Sequence, residues 1–371
     1  MRGPAVRPII IAAGGTGGHL SPAEALAAEF AARGQRVILM TDARSIAATE
    51  HFPCERRVVI SGAGLAGRSP WRVLKGAAAM AAGIAQARRV MREVQPAAIV
   101  GFGGYPSVPP IFAARMFFPA WHVPVLLHEQ NAVLGRANRL LARGHASLAL
   151  SFQATSRLPV NAHVMVTGNP VRGAIAALHA QPYPDATGRL KLLVTGGSLG
   201  ARIFSTLVPA ALALLPEALL ARIDLTQQVR REDLEAVRAT YEALGLSAEL
   251  SPFLGDMPER LAAAHLVIAR AGASTCAELA AAGRPGVLVP LPGSIDDHQA
   301  ANAAILASAG GAIACNQSTL TAEALAETLT RLLDDPARLA AMAAACASLG
   351  RPEAAASLAD AVLASMRAEV P

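Results

Sequence analysis

Charge and aromatic rings are scarce in this chain of 371 residues. Asp, Glu, Lys and Arg make up 16% and Phe, Trp and Tyr 4%. So little charge beside 53% hydrophobic residues argues against a disordered chain and leaves apolar material for two cores. No Lys/Arg-rich run with interleaved aromatics is present, which argues against a nucleic-acid partner. The net charge of +6 suits an anionic small ligand or an anionic membrane surface. Cysteine is rare too. Cys54, Cys276, Cys315 and Cys346 form no CxxC or Cys/His ligand cluster, so no metal site is expected, and they read as buried free thiols of a reduced, cytosolic protein. Met1–Pro8 lacks the pattern of a secretory signal. Val94–Ala114 is uncharged and long enough to span a membrane. Its Gly101, Gly103, Gly104, Pro106, Pro109 and Pro110 would break a lipid-exposed helix, so the chain reads as soluble, with peripheral membrane contact open.

What is present alternates. Short apolar strands are predicted at Pro8–Ala13, Arg36–Thr41, Arg57–Ile60, Ala97–Gly101 and Pro124–His128, with helices at Pro22–Arg33, Trp71–Val94 and Val108–Phe117 between them. The pattern restarts after Gly168-Asn169-Pro170, with strands at Leu190–Thr195, Ile223–Gln227, Leu266–Ala269 and Gly286–Pro290 and a helix at Ala201–Leu215. Strands alternating with helices imply parallel sheets covered on both faces. The fold class is therefore α/β, with two doubly wound Rossmann-like domains facing a cleft. The expected division is 1–168 and 169–351, with Gln181–Gly188 as a low-complexity linker region. A last helix within 352–371, about Glu353–Arg367, packs back on the first domain in this reading.

Each half places a glycine loop after its first strand: Gly14-Gly15-Thr16-Gly17-Gly18 and Gly196-Gly197-Ser198-Leu199-Gly200. Glycines let backbone N–H groups approach an anion, and the following helix adds about half a positive charge at its start. The second loop fits a diphosphate or a plain tight turn. It is not GxGxxG and lacks the following acid of a nicotinamide site. In the first half, Ser21-Pro22-Ala23-Glu24 reads as a capping box with proline at the first helical position. That places His19 just before a helix, where the dipole favours the neutral imidazole a general base needs. Arg270–Glu278 follows another strand. Glu278 there either accepts ribose hydroxyls or completes a capping box with Thr275. His128-Glu129-Gln130-Asn131 ends a buried strand with four polar residues, which is costly unless they meet a ligand or each other. Arg172 suits a phosphate clamp or a solvated hinge charge. Asp296-Asp297-His298-Gln299 opens a helix whose dipole its acids complement.

Six segments in this order, GGTGGH (Gly14–His19), GGYPS (Gly103–Ser107), HEQN (His128–Asn131), GNPVR (Gly168–Arg172), GGSLGAR (Gly196–Arg202) and Arg270–Glu278, resemble one family over nearly the whole chain. It is the bacterial cell-wall N-acetylglucosaminyltransferases acting on undecaprenyl-diphosphate-linked N-acetylmuramoyl-pentapeptide. The resemblance implies the glycosyltransferase-B architecture, UDP-N-acetylglucosamine as donor, and transfer with inversion to the 4-hydroxyl of the muramoyl sugar. It implies no cofactor and no metal, and a peripheral place on the cytoplasmic face of the inner membrane. By the same resemblance His19 is the base, and Thr16, Gly17 and Gly18 lie at the reacting sugar and phosphates. Asn131 contacts the donor sugar or arranges the acceptor, and Arg172 and Ser198 hold the diphosphate. Leu254 offers a backbone contact to uracil. Ala273, Ser274 and Thr275 wrap the diphosphate and ribose, with Glu278 on the ribose hydroxyls, and Gln299 reads the sugar hydroxyls. Tyr105 and Glu129 are candidates on the acceptor side. Three places depart from the family pattern: Ser205, Gln228-Val229-Arg230 and His298. Trp71-Arg72-Val73-Leu74-Lys75 with Arg88-Arg89 suits an anionic leaflet or an ordinary charged helix face. The rival readings are a UDP-N-acetylglucosamine 2-epimerase, which needs carboxylates beside the sugar ring, and a non-catalytic nucleotide-sugar-binding module, which does not need His19.

Overall fold

The computed structural model describes residues 7–15, 17–62, 70–117, 123–143, 147–197 and 200–368. Thr16 and Ser198 lie outside the described residues. Ile9, Ile10, Ile11 and Ala12 are all fully buried because β1 (Ile9–Ala12) is an interior strand of a parallel sheet covered on both faces. α1 (Gly17–Ala32), β2 (Val37–Thr41), β3 (Arg56–Val59) and α2 (Pro70–Val94) follow, then β4 (Ala98–Gly101), α3 (Val108–Phe117), β5 (Val125–Glu129), α4 (Arg136–Ala142), β6 (Ser147–Leu150) and β7 (His163–Val166). The strand order is β3-β2-β1-β4-β5-β6-β7, and every pair is parallel.

A second run begins with α5 (Gly173–Ala176), β8 (Leu190–Thr195), α6 (Arg202–Leu212), α7 (Glu217–Leu220) and β9 (Ile223–Gln228). It continues through α8 (Leu234–Ala243), β10 (Ala248–Ser251), α9 (Met257–Ala263), β11 (Leu266–Ala269), α10 (Ala273–Ala282), β12 (Gly286–Leu288), α11 (His298–Ser308), β13 (Ala312–Ala314), α12 (Ala322–Leu333) and α13 (Pro336–Ser348). These strands form a parallel sheet in the order β10-β9-β8-β11-β12-β13. The chain divides into two compact units, 1–172 with 353–371, and 173–352. Gln181–Gly188, predicted as a linker, is a packed part of the second unit. Tyr183 Oη donates to His265 O at 2.7 Å, and Arg222 Nη2 donates to Ala186 O at 3.2 Å.

α14 (Ala354–Ala368) belongs to the first unit, where Leu358, Ala359 and Val362 are fully buried in one cluster with Phe30, Ile9 and Ile11. Arg33 also pairs with Asp360 at 2.5 Å, but that carboxylate is 70% exposed, and exposed pairs contribute only about 0–1 kcal/mol. Apolar burial therefore holds α14.

Both sheets reverse strand order beside their first strand, β1 against β4 and β8 against β11. Loops leaving the carboxyl ends of such a pair diverge and open a crevice for a ligand. The four cysteines are free. Cys276 and Cys346 are buried, and burial pushes both thiols up, whereas Cys54 and Cys315 are partly exposed, against the expectation of burial for all four. Among the described residues, no helix is long and apolar enough to cross a membrane. Truncating Leu358 to Ala should cost roughly 2–5 kcal/mol, read by urea denaturation. Truncating Asp360 to Ala should cost less than about 1 kcal/mol.

Candidate active site

In the first unit the loop after β1 is anchored from the end of β2. Gly15 N donates to Asp42 Oδ2 at 2.9 Å and to Ser45 Oγ at 2.7 Å, and Asp42 also accepts from Ser45 Oγ and Arg44 N, each at 2.9 Å. Burial pushes the Asp42 carboxyl up. Hydrogen bonds from Ser45, Arg44 N, Tyr105 and Gly15 N outweigh it and hold the group below its ordinary value. With Gly15 tied down, helix α1 starts at Gly17. His19 is therefore the third residue of α1, not the residue ahead of a helix, and Pro22 lies inside it rather than at its first position. The predicted capping box does not form. Gly17, Gly18 and His19 instead make up the first turn, whose N–H groups have no intrahelical partner.

His19 Nδ1 lies 2.9 Å from Gln130 Oε1. Gln130 Nε2 donates to His128 Nδ1 at 3.0 Å and to His128 O at 3.1 Å, and His128 Nε2 donates to Gly168 O at 3.0 Å. Gly104 packs against the His19 ring. A Cβ there would lie 3.4 Å from both Cδ2 and Nε2, and its φ of +68° suits glycine. Tyr105 Oη accepts from Arg44 Nη2 at 2.5 Å, with the guanidinium 5.1 Å over the ring, and burial raises its phenol above the ordinary value.

Glu129 is 2% exposed and saturated. Oε1 accepts from Asn131 N at 3.0 Å and Asn131 Nδ2 at 3.1 Å, and Oε2 from Gly135 N at 2.8 Å and Asn138 Nδ2 at 2.9 Å. Four donors make this carboxylate a clamp on Asn131 and the loop that follows. Arg172 closes the first unit, six residues after β7 ends at Val166.

In the second unit Gly196 admits no side chain, since a Cβ would stand 2.2 Å from Ala201 N. Gln228 Oε1 accepts from Gly196 N at 3.0 Å and from Thr195 Oγ1 at 3.1 Å, while its Nε2 donates to Pro252 O at 3.2 Å. The first residue of the departing Gln228-Val229-Arg230 stretch thus braces the glycine loop. The third, Arg230, lays its Cγ 3.3 Å from where a Cβ on Gly200 would be.

After β11, Gly272 is the N-cap of α10, so Ala273, Ser274 and Thr275 form its first turn. This removes the capping-box reading of Thr275 and Glu278, both of which lie inside the helix. Glu278 is four residues from Ser274 and shares its face. Ser274 Oγ is buried without a hydrogen-bond partner, an unfavourable state that a ligand would relieve. Leu254 is buried beside Phe253, which is 73% exposed. Gln299 Oε1 accepts from Leu291 N at 2.9 Å. Asp296 and Asp297 both adopt left-handed backbone, with φ of 55° and 54°, a strained pair where dipole complementarity alone would need no strain. His298 Nδ1 bonds Ile295 O at 2.7 Å.

Among the described residues, Gly17, Gly18, His19 and Tyr105 follow β1 and β4 at the switch point of the first sheet, and Ala273, Ser274, Thr275 and Glu278 follow β11 at that of the second, whereas Asn131, Arg172, Leu254 and Gln299 follow β5, β7, β10 and β12. Asp42, Arg44, Gln130 and Gln228 were missed as site residues. Each is a polar residue at or just past the carboxyl end of a strand, the one signal that could have found them.

Two doubly wound parallel domains, each with an open glycine loop at its switch point and one with a braced imidazole, define a glycosyltransferase of the glycosyltransferase-B type. The chain belongs to glycosyltransferase family 28 and, within it, to the MurG proteins. Residues 9–149 match the family's N-terminal domain and residues 191–358 its C-terminal domain. The relatives include proteins named UDP-N-acetylglucosamine–N-acetylmuramyl-(pentapeptide) pyrophosphoryl-undecaprenol N-acetylglucosamine transferase. That of Granulibacter bethesdensis is 54% identical, covering 97% of this chain and 94% of its own. That of Acidiphilium cryptum is 53% identical, covering 100% of both. The crystal structure of Acinetobacter baumannii MurG superposes with a TM-score of 0.78 at 31% identity, covering 96% of this chain and 99% of that one.

Burial lowers the His128 pKa to about 4, helped by its neighbour His19 and opposed by the bond to Gly168. The unfolded imidazole titrates near 6.5, so the unfolded chain takes up this proton first as pH falls. The linked stability is complete above about pH 6.5 and is lost as pH falls to about 4, on the order of 3 kcal/mol in all. Urea denaturation across this window should show the decline, and His128→Asn should flatten it. Equal slopes for the two proteins would remove His128 as its source.

Proposed function

We propose that the chain transfers N-acetylglucosamine from UDP-N-acetylglucosamine to undecaprenyl-pyrophosphoryl N-acetylmuramyl-pentapeptide in peptidoglycan synthesis. The observation that carries the proposal is the His19 imidazole, held by Gln130 at the switch point of the first sheet of a chain whose relatives carry this activity along their whole length. His19 Nε2 takes the proton of the acceptor's 4-hydroxyl as that oxygen attacks C1 of the donor sugar. The bond from C1 to the UDP oxygen breaks, its electron pair leaves with UDP, and the anomeric centre inverts. In the second unit the N–H groups of the first turn of α10, which have no intrahelical partner, face the departing diphosphate in this reading and stabilise charge as it develops, while Gln228 and Thr195 take the Gly196 and Gly197 N–H groups and hold the glycine loop in shape. Ser274 gives the ligand a hydroxyl, and Glu278 accepts from the ribose. Arg172, Leu254, Asn131 and Gln299 complete the donor contacts in this reading, with Thr16 and Ser198 in the two glycine loops and Tyr105 on the acceptor side. A saturated Glu129 is no free acid for carbon chemistry at the sugar ring, which weighs against epimerisation. An oriented base weighs against a mere binding module.

The acceptor's lipid tail calls for a membrane surface, and α2 supports one. Trp71, Leu74, Ala78, Ala81, Ala85, Arg88 and Arg92 recur at three- and four-residue intervals on one stripe. Trp71 is 74% and Leu74 61% exposed. The arginine end borders a cavity of about 580 Å³ lined by Ile84, Arg88, Arg89, Arg92 and Met116. Exposed apolar side chains followed by arginines suit the boundary between acyl chains and anionic headgroups, here on the cytoplasmic face.

Labelled N-acetylglucosamine should pass from its UDP donor to a short-chain acceptor analogue with EDTA present. His19→Ala should lower kcat by about 10²- to 10⁴-fold while UDP-N-acetylglucosamine affinity stays within a few-fold. Unchanged turnover would remove His19 from the mechanism. The protein should sediment with phosphatidylglycerol-containing vesicles at low salt. Arg88→Glu with Arg89→Glu should weaken that binding by roughly tenfold or more. Equal retention of the variant would discard this surface.

A further inference from the structure

The bonds around Gln130 admit one assignment. Its Nε2 lies 3.1 Å from His128 O, a carbonyl that can only accept, so that end of the amide is the NH2 group. Its second hydrogen goes to His128 Nδ1 at 3.0 Å, which leaves the His128 proton on Nε2, where Gly168 O accepts it at 3.0 Å. The other end, Oε1, can only accept, and it faces His19 Nδ1 at 2.9 Å. His19 must then carry its proton on Nδ1. Gln130 and His128 are 1% and 0% exposed, so water does not offer either amide end a substitute partner.

We propose that Gln130 is a positioning residue that fixes the tautomer of His19, keeping the proton on Nδ1 and the lone pair on Nε2 for the acceptor hydroxyl. This rests on His19 being the base, as argued above. The Nε2 edge lies beside Gly104, whose missing Cβ would stand 3.4 Å from both Cδ2 and Nε2 and whose φ of +68° favours glycine.

The chain of bonds orients the base and does not conduct protons. When the acceptor hydroxyl gives its proton to Nε2, His19 becomes an imidazolium. Gln130 Oε1 stabilises the Nδ1–H without taking it, because an amide oxygen is too weak a base to accept the proton and the NH2 beyond too weak an acid to pass one on to His128. The proton therefore leaves His19 by Nε2, to solvent, after the product has gone. An amide also adds no negative charge beside the base, unlike the carboxylate of a Ser-His-Asp triad.

The test uses the full-length enzyme with ¹⁵N-labelled histidine, reading the ring nitrogens by NMR, with His19 assigned by its loss in His19→Ala. Wild type should show His19 protonated on Nδ1, and Gln130→Leu should move it toward the Nε2–H form. The same variant should lose kcat by roughly 10- to 100-fold, with KM for UDP-N-acetylglucosamine within about twofold. Gln130→Glu restores an acceptor for Nδ1–H. It should recover part of kcat relative to Gln130→Leu and move the acidic limb of the pH profile to higher pH, since a carboxylate favours the imidazolium. A wild-type His19 protonated on Nε2, or a Gln130→Leu protein with unchanged tautomer and kcat, would overturn the proposal. If Gln130→Leu does not fold, the wild-type tautomer and the Gln130→Glu pH profile decide it. The tautomer is read without substrate, so failure of wild-type transfer would count against the proposed function and leave the role of Gln130 to be judged on the spectrum.

Discussion

The reversal of strand order beside β1 is the constraint on which the first unit depends. In a parallel sheet all carboxyl ends point one way, and helices cover both faces. Only where neighbouring connections leave to opposite faces does a gap open at those ends. The loop leaving β1 carries Gly17, Gly18 and His19 into α1, and the loop leaving β4 brings Gly104 to the same place. Asp42 ties the first loop to the neighbouring strand β2 through Gly15 N. The second unit repeats the arrangement at β8 and β11, with Gln228 bracing the glycine loop as Asp42 braces the first.

A second constraint is the cost of ending a buried strand in polar groups. His128, Glu129 and Gln130 close β5 with almost no exposure, and each unpaired group would cost about 1–3 kcal/mol. The structure leaves none of these side chains unpaired. Glu129 takes four donors, His128 two partners, and Gln130 three. Satisfying them sets the geometry of the site, since two of these bonds end on Asn131 and one on His19. Stability and positioning are thus the same set of contacts here.

Most of the architecture is legible because buried parallel strands announce themselves. Ile9–Ala12, Leu190–Thr195 and Leu266–Ala269 are short apolar runs bounded by turns. What escapes is at the edges. β7 (HVMV) and β10 (AELS) are outer strands with little burial, and β13 (AIA) is three residues long, so none holds more than three apolar residues in a row. β6 (SLAL) lies inside its sheet and is as long as β1 and β11, but it opens on Ser147, which leaves it only three apolar residues in a row. The site is legible as motifs, less so as roles. Asp42 and Arg44 lie far in sequence from the loops they support, and nothing local in Glu129 shows that all its bonds turn inward.

Helix α1 starts at Gly17, ahead of the start that its local sequence signs predict at Pro22. Ser21-Pro22 carries every local sign of a helix start, and proline is best tolerated there because its missing N–H has no partner to lose. The structure starts the helix at Gly17 and keeps Pro22 inside, so Gly18 O has no N–H four residues on to accept. Local preference is overridden by Gly15, whose N–H is held by Asp42 and Ser45. Starting the helix early turns His19 from a loop residue into a member of the first turn. Its ring is then set by a rigid element and by Gln130, which is how a base must be held if its lone pair is to meet one hydroxyl.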